Sequence, residues 1–120
     1  MLIIGIDPGK TGAVAKLFCN IEGVTFASVH DTPYIDDYDE DGMARLLGDE
    51  DETHVFLEKV GAMPGQGVVS MFNFGKGYGI WRGILGALYR PRTFVTPQAW
   101  KKEMMQGIKD KDAARPRAIQ

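Results

Sequence analysis

The chain has 120 residues, 44% hydrophobic and 25% charged, with a net charge of -2. That size suits one domain spanning residues 1–120 with a single core, and the composition suits a globular protein rather than a disordered or fibrous one. No stretch approaches the roughly 20 apolar residues that cross a bilayer, and no leader precedes the first apolar run, so the expectation is a cytoplasmic protein with no membrane partner. The lone Cys19 excludes an internal disulfide and a cysteine metal cluster.

Leu2, Ile3, Ile4 and Ile6 form a short apolar run closed by Pro8-Gly9, the pattern of a buried strand. Asp7 ends that run. A carboxylate beside so apolar a segment is costly unless a cation or hydrogen-bond donors meet it. Gly12 then opens a second apolar run, Ala13 to Phe18. The expectation is a hairpin with one acid at its mouth, surrounded by backbone amides, Lys10 and Thr11.

The tripeptide Gly9-Lys10-Thr11 is not a phosphate-binding P-loop. That motif needs four residues between its two glycines, set between a strand and a helix. Here three residues separate Gly5 from Gly9, and a strand-like run follows.

Asn20 to Gly23 supplies turn residues, and Val24 to Val29 predicts a third strand of an antiparallel meander. Between Asp31 and Glu52 lie ten acids and one base, Arg45, a net of -9. The rest of the chain carries 13 bases against 6 acids. A nearly neutral chain can thus present a basic face to a polyanion, although scattered surface lysines give the same count. The acids have no calcium-loop spacing. They mark a solvated connection, expected on the side of the molecule away from Asp7. Within it, Glu40 to Leu47 predicts a short helix with Met43, Leu46 and Leu47 on one side.

Thr53 to Leu57 is a compact strand ending in Glu58, which repeats the arrangement at Asp7. If the two strands are parallel neighbours, both carboxylates reach the same edge of the sheet. Two such groups repel unless a divalent cation lies between them, and one or two carboxylates with retained waters is a common Mg²⁺ site. Glu58 paired with a surface base is the alternative. His30 and His54 are expected at the surface or a strand edge.

Gly61 to Gly67 has too many helix and strand breakers for regular structure. Val68 to Tyr89 follows, with apolar residues at helical intervals. Its five glycines, Gly75, Gly77, Gly79, Gly83 and Gly86, predict a kinked or interrupted helix packed on the sheet, with Lys76 and Arg82 on the exposed side. Arg92 to Val95 is a further strand. Thr96 then caps a helix whose first residue is Pro97 and which carries Trp100, Lys101 and Lys102. Lys109, Lys111, Arg115 and Arg117 form a last basic stretch, suited to phosphate contact or to a solvated helix with internal ion pairs.

IGIDPGKTGA at Ile4–Ala13, FLEKV at Phe56–Val60, AMPGQGVVSMFNFGKGYG at Ala62–Gly79, and TPQAWKK followed by KDKDAAR resemble the RuvC-like Holliday-junction resolvases. The phage and bacterial branch with a Pro-Gly-Gln-Gly loop is the nearest. The resemblance implies an α/β, ribonuclease H-like fold: a mixed sheet, three antiparallel strands and then parallel ones, flanked by helices. It also implies a homodimer that cuts four-way DNA junctions with Mg²⁺ or Mn²⁺. By position, Asp7 and Glu58 match metal-binding acids, and Lys109 or Lys111 a basic position near the scissile phosphate. Lys10, Gln66, Lys76, Arg82, Lys101, Lys102 and Arg115 are the expected DNA contacts.

The family places two further acids beyond residue 120, and Asp110 and Asp112 fall too early for that role. The expectation is therefore a C-terminally shortened active site with weak metal binding and little cleavage. Two rival readings are a non-catalytic branched-DNA-binding module of the same fold and a nucleotide-binding domain of the actin and sugar-kinase type. The latter needs a second such domain.

Overall fold

The computed structural model describes residues 1–50, 52–59, 65 and 67–99. Three strands come first: β1 (Leu2–Asp7), β2 (Ala13–Asn20) and β3 (Gly23–Asp31). They form the expected antiparallel meander, with Asp7 opposite Ala13 and Ala13 opposite Asp31. A small separate ribbon of β4 (Tyr34–Ile35) and β5 (Asp37–Tyr38) follows, then α1 (Glu40–Leu47). The chain continues through β6 (Thr53–Glu58), α2 (Val68–Ala87) and β7 (Arg92–Val95). The main sheet has the order β3-β2-β1-β6-β7, with β6 parallel to both β1 and β7.

Alternation along the strands sets the layers. Leu2, Ile4 and Ile6 of β1 are buried, as are Val55 and Leu57 of β6. Facing residues in parallel register share a side of the sheet, so this row makes one continuous apolar surface. Met43 and Leu47 of α1 and Trp81 and Leu85 of α2 close over it, each fully buried. Asp7 and Glu58 lie on the alternate row, with Ile3, Gly5 and Phe56.

The sequence encodes α1 locally. Asp39 is its N-cap and accepts a hydrogen bond from the Gly42 amide at 3.1 Å, while Glu40 and Asp41 occupy the first turn. Acids there complement the partial positive charge of a helix N-terminus. Gly48 ends the helix with φ of 65°.

α2 corrects one expectation. It is one uninterrupted helix of 20 residues. Gly75, Gly79 and Gly83 face open space, so each lowers helix stability by roughly 1 kcal/mol without interrupting it. Gly77 has a tertiary reason instead. A Cβ there would meet the Tyr38 hydroxyl oxygen at 2.5 Å. Trp81 and Leu85 anchor the helix in the core, and that burial outweighs the glycine penalties.

The acidic stretch corrects another. It does not keep to the side away from Asp7. Asp31 stands in the same cross-strand row as Asp7, two strands away, about 10 Å at normal strand spacing. Asp37 lies against α2. α1 then carries the chain to the opposite end of the sheet, where Glu50 and Glu52 precede β6. The physical reason is the crossover: β3 ends beside Asp7, and the chain must descend the sheet before a parallel β6 can start.

Candidate active site

Ile6 of β1 faces Leu57 of β6, and each is followed at once by an acid. Parallel pairing therefore delivers Asp7 and Glu58 together at the carboxyl ends of the two central strands. There the two side chains are close enough for Glu58 to influence the titration of Asp7. Asp7 keeps solvent access, yet the surrounding protein is enough to push its carboxyl above the usual 3.8, the larger effect, while Glu58 pulls it back down. Two carboxyl groups this close repel when both are ionised. A hard cation between them would offset that repulsion.

Pro8 to Gly12 forms the turn beside the pair. The Gly12 amide donates to the Gly9 carbonyl at 3.2 Å, and the Thr32 amide donates to the Gly12 carbonyl at 3.1 Å, tying the turn to the segment after β3. Phe74 of α2 closes the turn from above, its ring edge 3.1 Å from where a Gly9 Cβ would stand. Thus α2 touches the loop that shapes the site.

Lys10 is exposed on this turn. Lys76 is not a free surface base. Its Nζ pairs with both carboxylate oxygens of Asp37 at 2.7 and 2.8 Å. Arg82 is exposed but packs its guanidinium over the Tyr78 and Phe94 rings, 5.7 and 5.3 Å from their centroids. Gln66, Lys101, Lys102, Lys109, Lys111 and Arg115 lie outside the described residues, as do Trp100, Asp110 and Asp112. Thr96 caps the segment at 97–99 as expected, accepting from the Ala99 amide at 3.1 Å.

Neither histidine joins the carboxyl pair. His30 bonds Ser28 along the β3 edge, and His54 bonds Thr93 on β7. Sequence reasoning missed Phe74, Asp37 and Tyr38, whose contacts depend on how α2 and the β4–β5 ribbon meet. Among the described residues no group of three or more metal-ligating side chains comes together. No helix there is long and apolar enough to cross a membrane.

No known family profile and no curated protein sequence matches the chain. Solved structures do. Thermus thermophilus RuvC in complex with Holliday junction substrate superposes with a TM-score of 0.61 at 14% identity, over 89% of this chain and 70% of that one. A second Thermus thermophilus RuvC structure gives 0.56 at 15% identity, over 81% and 64%. The fold is that of RuvC. This chain therefore has a ribonuclease H-like α/β architecture, and spans about two thirds of the length of the RuvC chains it resembles.

Proposed function

We propose that this chain is a metal-dependent nuclease domain that binds four-way or otherwise branched DNA. The observation that carries the reading is the contact between Asp7 and Glu58 at the carboxyl ends of two parallel central strands of a RuvC fold. Ligand sites in parallel sheets gather at that end. Both donors are oxygens, the chemistry that suits Mg²⁺ or Mn²⁺.

Asp7 and Glu58 would hold the cation, which when bound polarises a phosphate oxygen and lowers the pKa of a coordinated water. The chain's own residues do the rest. The Pro8–Gly12 turn fixes the Asp7 backbone, and Phe74 holds that turn against α2. Lys10, exposed on the turn, would contact a phosphate beside the scissile one. Lys109 or Lys111 would take the basic position near the scissile phosphate, following the family resemblance.

A homodimer is part of the proposal. Val68, Val69 and Phe72 at the start of α2 are 84%, 75% and 67% exposed, an apolar surface that a second copy would cover. Among the described residues only these two carboxylates meet here, which would leave most of an octahedral cation's positions to water and substrate and make binding through this pair weak. That observation favours a second reading, a junction-binding module with little cleavage of its own.

The test is retention and cutting of a synthetic four-way junction with Mg²⁺ or Mn²⁺, against linear duplex of the same length. Preference for the junction, with any cutting abolished in Asp7→Asn and Glu58→Gln, supports the nuclease. Preference without metal-dependent cutting supports the binding module. Equal retention of junction and duplex sinks both.

A further inference from the structure

An exposed lysine–aspartate pair is usually loose, because two long side chains must give up freedom to meet. Asp37 and Lys76 differ in that the acid is held in place before the lysine arrives. The Tyr38 amide donates to Asp37 Oδ1 at 2.8 Å, which orients the carboxylate. Tyr38 is itself fixed, 5% exposed, with its hydroxyl donating to the Asn73 carbonyl of α2 at 2.8 Å. The missing side chain at Gly77 makes room for its ring. The β4–β5 ribbon is thus clamped onto α2, and it places one carboxylate over one ammonium group with both oxygens engaged.

The position of that pair matters. Lys76 lies two residues beyond Phe74, which rests on the turn next to Asp7. It belongs to the same end of the sheet as the carboxyl pair. A phosphate and a carboxylate compete for a lysine through the same chemistry, anionic oxygens accepting from Nζ. Asp36, Asp39, Glu40 and Asp41 flank Asp37 in the chain and add negative charge that repels a polyanion here.

We propose that the β4–β5 ribbon is a built-in competitor for DNA phosphate: Asp37 occupies the Lys76 ammonium, and a DNA strand laid on this part of α2 must displace it. This rests on the nucleic-acid reading above. It adds that affinity at this face is held down by the protein's own acid, so that strands are accepted only where other contacts supply the displacement.

The experiment measures equilibrium binding of a synthetic four-way junction in EDTA, at several salt concentrations, for the wild type, Asp37→Asn, Lys76→Met and the double variant. Asparagine keeps an oxygen for the Tyr38 amide while removing the charge. Asp37→Asn is expected to bind about two- to fivefold tighter at low salt, the worth of an exposed ion pair. Its salt dependence should steepen by roughly one counterion. In the Lys76→Met background the Asp37→Asn gain should vanish. An unchanged or weakened Asp37→Asn overturns the proposal, as does a gain that persists without Lys76, since that would be general charge repulsion. If the wild type shows no preference for the junction over duplex, the functional reading fails and the ribbon's role with it. A wild type that prefers the junction while Asp37→Asn is unaltered removes only the ribbon's role.

Discussion

The two ends of the central sheet both carry acids, but in different states. At the start of β1 and β6, Glu50 and Glu52 act through their backbones. The Glu52 carbonyl accepts from the Leu2 amide at 2.7 Å, and the Glu50 carbonyl accepts from the Thr53 hydroxyl at 2.8 Å. The Glu52 carboxylate is 84% exposed and reaches the N-terminal amine only at 4.0 Å. At the other end, Asp7 and Glu58 end neighbouring parallel strands, and burial pushes the Asp7 carboxyl up while Glu58 pulls it back down. The density of acids is therefore a poor guide to the site. Parallel register and partial burial, which bring two side chains together and make their charges costly, are what distinguish one end from the other.

The sharpest test of that contrast is Mn²⁺ affinity, read by calorimetry. Asp7→Asn should weaken it by roughly 100-fold or more, because loss of even an outer-shell partner costs 10- to 100-fold. Glu52→Gln at the opposite end should leave it unchanged. Equal losses in the two variants would erase the distinction.

Backbone space gives the next largest effect. A Cβ on Gly12 would stand far inside van der Waals contact with the Asp7 carbonyl oxygen, whereas one on Gly5 would meet nothing. Gly12→Ala should destabilise the protein by about 2–4 kcal/mol in urea unfolding. Gly5→Ala in mid-strand should fall within about 1 kcal/mol of the wild type. Similar values for both would mean that the turn adapts and does not constrain Asp7.

The smallest effect concerns pH. Because the fold raises the Asp7 pKa, the folded chain holds that proton more tightly than the unfolded chain does. Without metal, ionised Asp7 therefore lowers stability above its folded pKa, and the penalty fades as pH falls through that value toward 3.8. Metal-free Asp7→Asn should melt slightly higher than the wild type at pH 7, with the gap closing below pH 3.8. Added Mg²⁺ should reverse the order at pH 7, since the bound cation stabilises the wild type alone. A gap that does not change with pH would assign the effect to packing instead.

Much of this was legible in the residues. Apolar runs bounded by Pro8-Gly9 and by Asn20–Gly23 mark the meander, and Asp39 before Glu40 and Asp41 marks the start of α1. The two strand-end acids were legible too, because each ends a strand whose alternation buries its neighbours, while their meeting required β6 to lie parallel to β1. What could not be read were the partners of α2. Its residues are apolar on most sides, so periodicity does not say that Phe74 meets Gly9 or that Gly77 receives Tyr38. Nor does the charge pattern reveal that Lys76 and Asp37, 39 residues apart, neutralise one another.

The sequence by itself determined the strands of the main sheet, the helices and the two strand-end carboxyls, though not the β4–β5 ribbon, since turns, caps and alternation are local and act over a few residues. Tertiary structure alone decided that β6 lies parallel beside β1, that the acidic stretch passes the Asp7 end before crossing to the other, and that α2 is clamped between a turn and a ribbon. Those outcomes depend on which surfaces meet across long separations, and the free energy that selects them comes from burial shared among all the elements at once.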